Sequence, residues 1–416
     1  MAVGIPKGRK KALEAGDIKN IPVHLSYEGK TDEVEILKLP YSPSIKIRES
    51  KKNDKDNRLY QGDNLDVLLE LLNDPKVKGE VKLVYIDPPF ASKSTFKSRS
   101  NRHAYHDFMD GGQYIEELRK RLIILRELLA SDGSIYVHLD NKMAFHMKII
   151  MDEIFGEKNF RAFISRRKCS NKNFTRLNYG NITDYILFYS KNQKYIWNRP
   201  YESWDEENMI RQYPCVDEKT GKRYKKVPIH APGTRNGATG GEWRGMLPPK
   251  GKHWQYLPEK LDEMDRRGEI YWSPTGNPRR KVFFEDSKGI PKSDIWLNYR
   301  DLTNQNTETT GYPTEKNLQL LIDIVSTSSN ENDLVLDCYC GSGTTLFAAN
   351  KLNRRWIGVD IGDEAIKATI KRLNGDTDLH GDYVNKRKQK NKQLTFTDIK
   401  EQAFFSLFTN DTTEDS

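Results

Sequence analysis

From residue 58 onward, apolar segments typical of strands alternate with segments of helical periodicity, and this alternation restricts the fold more than any other feature. The segments RLYQGD, VKLVYID and SIYVHLD are predicted strands, separated by the predicted helices NLDVLLELL and QYIEELRKRLIILRELLA. One face of the longer helix carries Ile115, Leu118, Leu122, Leu125 and Leu129. Alternating strands and helices predict a mostly parallel α/β sheet, which binds ligands beyond the carboxyl ends of its strands.

The alternation is interrupted and then resumes, so the sequence predicts an α/β domain with an insert. After the predicted strand pair NFRAFISRRK and DYILFYSK, residues 191–300 are dense in Gly, Pro, Trp and Arg. The pattern returns with the helix EKNLQLLIDIVSTSS, the strand DLVLDCYC, the helix TTLFAANKL and the strand RWIGVDI. The predicted parts are a basic N-terminal arm with a short hairpin at EVEILKLPY (1–57), two halves of the α/β domain (58–190 and 301–375), the loop-rich insert (191–300), and a tail with a short helix near Phe404 (376–416).

Charge favours a polyanionic partner. The formal net charge is +9, and residues 161–260 hold 20 lysines and arginines against 9 acidic residues. A basic surface gains affinity for nucleic acid by releasing counterions, although a merely soluble basic surface explains the charge equally well. No apolar run approaches the roughly 18 residues of a membrane span, no secretory core is present, and the four cysteines lack zinc spacing, so we expect a cytoplasmic protein without membrane contact or metal.

The segment LVLDCYCGSGTT indicates a nucleoside cofactor. Its strand ends at Asp337, and Gly341 and Gly343 then turn the chain so that backbone can approach a ligand closely. A second strand ends at Asp360, whose carboxylate can accept hydrogen bonds from both ribose hydroxyls. Leu346 stands where a dinucleotide motif has its third Gly, and no Lys follows the glycines as in a P-loop. S-adenosylmethionine, a cofactor without phosphates, fits better; a tight turn without ligand is the alternative.

The predicted strand VKLVYI stops at an acid, two prolines and an aromatic ring. A nucleobase amine is a poor nucleophile because its lone pair is delocalised into the ring, and two acceptors can hold its nitrogen in a geometry that favours attack. Asp87 and the Pro88 carbonyl can be those acceptors, on a turn that Pro88 and Pro89 stiffen by fixing φ at about −65°. Phe90 can stack on a base taken out of the duplex. A rigid turn that only closes the strand is the alternative.

The order DPPF, then far downstream DCYCGSGTT, resembles the β-class of amino-methylating DNA methyltransferases over most of residues 58–373. In that family the catalytic motif precedes the target-recognition region and the cofactor motif comes last, so the resemblance implies a Rossmann-like methyltransferase fold with circularly permuted motif order and a recognition region at 191–300. RLYQGDNLDVL looks like the segment beside the cofactor's adenine, and GYPTEKN resembles the P-T-x-K-P element beside its methionine moiety. The implied S-adenosylmethionine site comprises Asp63, Asn64, Thr314, Glu315, Lys316, Asp337, Cys338, Tyr339, Gly341, Ser342, Gly343, Thr344, Thr345, Asp360 and Ile361.

Three positions depart from that family's pattern or suggest another. Cys338 and Tyr339 follow Asp337 where the family has D-P-F, and Asn317 replaces the last Pro of P-T-x-K-P, which we expect to loosen one turn. Pro214-Cys215 raises the alternative of methylation at the 5-carbon of cytosine. That dipeptide lacks the usual following Gln or Asn and lies in the irregular insert, which argues against it.

Basic residues in three regions are candidate DNA contacts: a loop after DPPF, the segment 166–168 and the insert. A loop after DPPF carries Lys93, Lys97, Arg99 and Arg102 with no acid before Asp107, so it can clamp phosphates and close over a flipped base, or be a solvated loop. In the insert, core packing is the favoured interpretation of the tryptophans. The other candidates are Arg166, Arg167, Lys168, Arg235, Arg244, Lys252, Arg279 and Arg280, and no role is expected for His103, His106, His138 and His146.

The sequence therefore predicts site-specific transfer of a methyl group from S-adenosylmethionine to the N6 amine of adenine in double-stranded DNA. The expected route is base flipping and direct attack, within a restriction-modification system or another phage or bacterial modification. Methylation of the N4 amine of cytosine is the alternative, although members with that activity more often have Ser in place of Asp87. A catalytically idle DNA-specificity subunit and an RNA methyltransferase also stay open, and a homodimer and a cognate restriction endonuclease are candidate partners.

Overall fold

The computed structural model describes residues 23–50, 53–89, 111–170, 179–301, 315–375 and 403–410. The chain divides into two compact units, residues 1–198 with 293–416 and residues 199–292. The smaller unit lies within the predicted insert 191–300. Among the described residues, no helix is both long and apolar enough to cross a membrane.

Helices and strands alternate through most of the chain. The described helices are α1 (Glu33–Ile36), α2 (Asn64–Leu72), α3 (Gly111–Leu128), α4 (Ala144–Phe155), α5 (Glu206–Gln212), α6 (Pro258–Arg266), α7 (Leu318–Ser328), α8 (Thr344–Lys351) and α9 (Asp363–Leu373). The described strands are β1 (Ile45–Glu49), β2 (Arg58–Gln61), β3 (Val81–Ile86), β4 (Leu129–Leu139), β5 (Phe160–Arg167), β6 (Thr183–Ser190), β7 (Tyr201–Glu202), β8 (Cys215–Val216), β9 (Arg223–Pro228), β10 (His230–Pro232), β11 (Lys252–Trp254), β12 (Ile270–Trp272), β13 (Pro278–Phe283), β14 (Ile290–Pro291), β15 (Ile295–Trp296), β16 (Leu334–Asp337), β17 (Arg355–Asp360) and β18 (Ser406–Thr409).

The larger unit is built on a ten-stranded sheet with the order β1-β18-β2-β17-β16-β3-β4-β6-β5-β15. The central strands β2, β17, β16, β3 and β4 run parallel to one another, which confirms the predicted mostly parallel α/β sheet. The strands β6 and β5 form the predicted strand pair, which is antiparallel, and β6 is also antiparallel to β4. Helices cover both faces of the sheet: Val84 and Ile86 of β3 belong to one apolar cluster, and Leu83 and Tyr85 belong to the other.

The prediction of a separate N-terminal arm is wrong for the described residues of that segment, because they belong to the larger unit. The segment EVEILKLPY begins with helix α1 instead of a hairpin, and the Asp32 side chain caps that helix by accepting a hydrogen bond from the Val34 N–H at 2.8 Å. Ile36 is fully buried in the core. Strand β1 then adds to the edge of the main sheet by antiparallel pairing with β18.

The predicted C-terminal tail is also wrong for residues 403–410, which contain a strand instead of a helix. Strand β18 lies between β1 and β2, parallel to β2. The side chains of Ala403, Phe405 and Leu407, at alternate positions, belong to one apolar cluster of the larger unit. On the other face, Phe408 stacks on Tyr60 with ring centroids 4.7 Å apart.

The smaller unit consists of short antiparallel strands around its own core. A four-stranded sheet has the order β12-β13-β9-β8, and the pairs β10-β11 and β14-β7 accompany it. Trp243 and Trp254 are buried in the core of this unit with their rings 5.7 Å apart, and Trp243 also stacks on Trp272. These tryptophans therefore pack the core, as the favoured interpretation of the sequence has it.

Candidate functional site

The two motifs singled out in the sequence lie at the same edge of the main sheet. Asp87 follows β3, Asp337 ends β16, and these strands are parallel neighbours paired at Val84 and Leu336. Asp360 ends the next strand, β17, and Asp63 follows β2 beyond it. Because parallel strands place their carboxyl ends together, four carboxylates meet where a sheet of this kind binds ligands.

The Gly-rich turn before α8 requires its glycines. Gly341 and Gly343 have φ values of +51° and +73°, a region that side chains with a Cβ rarely adopt. A Cβ on Gly343 would lie 2.7 Å from Thr369 Oγ1. The Thr369 hydroxyl also donates a hydrogen bond to the Gly341 carbonyl at 2.9 Å, so α9 supports the turn.

Asp360 fastens this turn to the sheet, a role that the sequence did not reveal. Its Oδ2 accepts a hydrogen bond from the Gly341 N–H and its Oδ1 accepts one from the Gly362 N–H, both at 2.9 Å. Burial raises the pKa of Asp360, against these hydrogen bonds. Each carboxylate oxygen has a second lone pair, so Asp360 can still accept from a ligand's hydroxyls.

Asp337 is enclosed within the turn. Its Oδ1 accepts a hydrogen bond from the Tyr339 N–H at 3.0 Å. Burial raises the pKa of Asp337 to about 7, and the negative charges of Asp87 and Asp360 act in the same direction. The side chain therefore shapes the turn from inside and changes protonation near neutral pH.

The start of α2 is joined to the Gly-rich segment by polar contacts. Asp63 caps α2 by accepting from the Leu65 N–H at 2.8 Å, and its side chain is half exposed. Asn64 donates to the Cys338 carbonyl at 2.7 Å, and Arg121 contacts both Asn64 and Asp63, the latter at 3.2 Å. Arg121 belongs to α3, and no sequence signal distinguished it from other basic residues on that helix.

A buried arginine holds the residues before α7 against the Gly-rich turn. Arg372 on α9 is fully buried and pairs with the buried Glu315. Its Nη1 donates to the Ser342 hydroxyl at 3.0 Å and to the Thr344 hydroxyl. Burial lowers the pKa of Arg372 to about 10, although Glu315 opposes that shift. Two predicted cofactor segments are thus connected through a residue that was not predicted.

Asn317 does not loosen the turn in which it replaces Pro; that expectation is wrong. Its side-chain oxygen accepts hydrogen bonds from the Gln319 N–H at 2.9 Å and the Leu320 N–H at 3.3 Å. It is therefore the N-cap of α7, a position at which Asn is strongly preferred.

Asp87 has one paired oxygen and one open oxygen. Lys316 Nζ lies 2.8 Å from Asp87 Oδ2. Oδ1 is buried and has no hydrogen-bond partner among the described residues. Pro88 is buried and Pro89 is exposed beside it. Asp87 is therefore held from one side while its other oxygen can accept from a ligand.

Behind Asp87 lies a buried polar group centred on His138, to which the sequence gave no role. His138 Nδ1 is 3.9 Å from Asp87 Oδ1 and 2.8 Å from Tyr85 Oη. Its Nε2 is 2.9 Å from Asp184 Oδ2, and Arg166 Nη1 lies at the same distance from that oxygen. A His in the apolar strand segment SIYVHLD was the one available signal.

Among the predicted DNA contacts, Arg166 is wrong. Its side chain is fully buried, donates to the Tyr299 carbonyl at 2.7 Å, and pairs with Asp184 and Asp301. Arginine is suited to such an internal role because its planar group satisfies several acceptors at once. Its neighbours Arg167 and Lys168 are half-buried.

The basic residues of the smaller unit differ in whether their charged groups are exposed and whether they are paired. Arg235, Lys252 and Arg279 are exposed. Arg244 is exposed but pairs with Asp262 and Asp265, and Arg280 donates to the Tyr256 hydroxyl at 2.6 Å. The predicted residues that lie outside the described part of the chain are Phe90, Lys93, Lys97, Arg99, Arg102 and Thr314.

The remaining predicted cofactor residues line or support the same turn. Cys338 and Thr345 are buried, Tyr339 is half-buried, and Ile361 is about half exposed beside Asp360. Within the described residues, no cluster of three His, Cys, Asp or Glu side chains is arranged to hold a metal ion.

Comparisons with known proteins show what the chain is similar to. A family model described as DNA methylase matches residues 81–371. The chain is 47% identical over 393 residues to the type II methyltransferase M.EcaI of Enterobacter cloacae, covering 94% of this chain and 86% of that protein. It is 26% identical over 381 residues to the type III restriction-modification enzyme EcoP15I Mod subunit of Escherichia coli, covering 74% of this chain and 58% of that subunit. The solved M1.HpyAVI–SAM complex is 17% identical, with a TM-score of 0.41, over 76% of this chain and 98% of that chain.

Proposed function

The chain belongs to the DNA methylase family, and we propose that it methylates the N6 amine of adenine at specific sites in double-stranded DNA. The family uses S-adenosylmethionine and includes enzymes that act on adenine or on the N4 amine of cytosine. The observation that carries the proposal is the open oxygen of Asp87, at the strand end next to the Gly-rich turn. Asp at this position, where cytosine enzymes of the resembled class more often have Ser, favours adenine.

The residues at this edge of the sheet fit S-adenosylmethionine. Gly341 and Gly343 turn the chain at the strand ends with positive φ values that side chains with a Cβ rarely adopt. The neighbouring carboxylates Asp63 and Asp360 suit the hydroxyl and amino groups of a nucleoside. We propose that these two residues, with the Gly-rich turn and Glu315–Lys316, hold the cofactor, which supplies an electrophilic methyl group.

In the proposed reaction, Asp87 orients the target amine. Its open Oδ1 accepts one N–H of the amine, and the Pro88 carbonyl is proposed to accept the other. Lys316 fixes the carboxylate by its contact with Oδ2 at 2.8 Å. The amine nitrogen then forms a bond to the methyl carbon as the bond from that carbon to sulfur breaks, and positioning supplies the rate enhancement. Phe90 is proposed to stack on the flipped base.

We propose that the smaller unit, residues 199–292, reads the DNA. Its exposed Arg235, Lys252 and Arg279 are free to contact phosphates or base edges, whereas Arg244 is already paired. We also propose that the chain works with a cognate restriction endonuclease. Its relatives include a type II methyltransferase and a subunit of a type III restriction-modification enzyme, which supports this proposal. We further propose that the chain forms a homodimer, which a measurement of the protein's molecular mass in solution would test.

Nucleoside analysis of DNA from a host that expresses the chain tests the choice of base. We expect 6-methyladenine in DNA from a host that expresses the wild-type chain and none in DNA from a host that expresses Asp87→Ala. The appearance of 4-methylcytosine without 6-methyladenine would contradict the proposal. A lack of label transfer from tritiated cofactor to any DNA would support an idle specificity subunit, and preference for RNA in competition would support an RNA methyltransferase.

A further inference from the structure

We propose that His138 is a positioning residue for Asp87 that also receives, through Asp87, the proton released by the methylated amine. The proposal rests on the proposed function, because it concerns the same attack by an exocyclic amine. His138 lies on β4, the strand next to β3, and its side chain is completely buried. It is the residue between the open oxygen of Asp87 and the buried carboxylate of Asp184.

The surroundings of His138 assign its tautomer. Asp184 Oδ2 accepts a hydrogen bond from Arg166 Nη1 at 2.9 Å, so this carboxylate presents acceptor oxygens to His138. The ring Nε2 therefore carries a hydrogen, although its contact with Asp184 at 2.9 Å is bent away from ideal hydrogen-bond geometry. Nδ1 is left with a lone pair that faces Tyr85 and Asp87.

Tyr85 fits this assignment. It is fully buried, and burial, followed by the charge of Asp87, raises its pKa well above the usual value, so its hydroxyl keeps its hydrogen. The hydroxyl can donate to Nδ1 when that nitrogen is bare and accept when it carries a hydrogen. Tyr85 can thus accommodate either state of His138 without a change in packing.

His138 lies among charged groups of both signs. Asp87 is paired with Lys316, and Asp184 is paired with Arg166, which also contacts the partly exposed Asp301. A carboxylate therefore faces each ring nitrogen of His138, so a proton placed on Nδ1 would lie between two negative groups. Asp337, which faces Asp87 from β16, is the remaining titratable neighbour.

Each proton and electron pair has a destination in the proposed step. The amine nitrogen gains a bond to the methyl carbon, whose former bonding pair stays on sulfur, and the nitrogen then loses a proton to Asp87 Oδ1. Asp87 passes that proton to His138 Nδ1, and Asp184 stabilises the resulting imidazolium. The present 3.9 Å exceeds a hydrogen-bond length by about 1 Å, so the Asp87 carboxylate must turn toward His138 when the amine binds.

Single-turnover methyl transfer by His138→Gln, at saturating cofactor and duplex DNA, tests the proposal. We expect the rate to fall by about 100-fold, with cofactor and DNA affinities within twofold of wild type, because His138 touches neither ligand. The pH–rate profile should lose one ionisation on its acid side, while any ionisation from Asp337 persists. The control His146→Ala, at an exposed position of α4, should keep full activity.

Two further variants keep the test decisive if His138→Gln does not fold. Asp184→Asn removes the carboxylate that fixes the tautomer, and Tyr85→Phe removes only a hydroxyl; both should slow transfer and shift the acid limb of the profile. Unchanged rates and profiles in the variants that fold would overturn the proposal. Failure of the proposed function would look different, since the wild-type protein itself would then not methylate adenine.

Discussion

The carboxylate-lined edge of the main sheet and the basic surface of the smaller unit differ in how their ionisable side chains are held. At the edge, ionisable side chains such as Arg372, Asp337 and His138 are buried and held by specific partners. In the smaller unit, Arg235 and Arg279 are exposed on short strands and turns. Chemistry on an amine needs fixed distances in a dry environment, whereas contact with DNA uses charges that water can still reach. Single substitutions should therefore have large effects at the edge and small ones on the basic surface.

The largest effect on stability is expected from Arg372→Leu. Removing this cation leaves Glu315 buried without its charged partner, which should lower the free energy of unfolding of the larger unit by about 3 to 5 kcal/mol. The double variant Arg372→Leu with Glu315→Leu should recover most of that loss. Thermal unfolding measures it, and Arg267→Leu, which removes an exposed pair with Glu263, is the matched control. Equal losses of stability in Arg372→Leu and Arg267→Leu would contradict the expected difference between a buried and an exposed ion pair.

The next effect is expected at the Gly-rich turn. In Gly343→Ala the new methyl group would lie 2.7 Å from Thr369 Oγ1 at a positive φ, so the turn must open and cofactor affinity should fall by at least about 10-fold. Gly251→Ala has nearly the same φ, +77°, but open space around it. Calorimetric titration with S-adenosylmethionine should show no change in that control. Loss of affinity in both variants would mean that general destabilisation, not the turn, is responsible.

A smaller effect, dependent on pH, is expected from Asp337→Asn. The folded-state pKa of Asp337, about 7, lies above the value of about 4 in an unfolded chain, so the folded state binds more protons between these values. The wild-type protein therefore loses stability as pH rises from 4 to 7, and the amide variant does not. Unfolding temperatures of the two proteins should agree near pH 4 and diverge by pH 8 in favour of Asp337→Asn. If the unfolding temperatures of the two proteins changed with pH in parallel, the raised pKa of Asp337 would be contradicted.

The smallest effects are expected on the basic surface. Arg279→Ala should weaken DNA binding severalfold and reduce the slope of log affinity against log salt by about 1. Arg244→Ala should change both less, because Asp262 and Asp265 already neutralise that guanidinium. Neither change should alter cofactor affinity. An effect of Arg244→Ala as large as that of Arg279→Ala would show that its ion pairs break on binding.

The sequence was informative where a motif is local and uninformative where partners are distant in the chain. Gly341, Gly343 and Asp87 were recognisable because turn chemistry and strand ends are written within a few residues. Arg166 was misassigned to the surface because its partners Asp184 and Asp301 are 18 and 135 positions away. The pairing of Arg372 with Glu315, 57 positions away, gave no signal for the same reason.

The two chain ends illustrate a second limit. Both were assigned to appendages because their composition is polar and basic, yet Ile36 and Phe405 are buried in the larger unit. Strand β18 contacts β1 and β2, and only pairing across most of the chain length turns its short alternating pattern into part of a sheet. Local periodicity could identify the element, but composition outweighed it.

Asp87 is proposed to position the target amine, so single-turnover methyl transfer by Asp87→Ala is the decisive measurement. We predict a rate at least about 100-fold below wild type, with cofactor and DNA affinities preserved and with Glu364→Ala, at an exposed position of α9, fully active. An Asp87→Ala protein that transfers tritium from the cofactor to DNA as fast as the parent would contradict it.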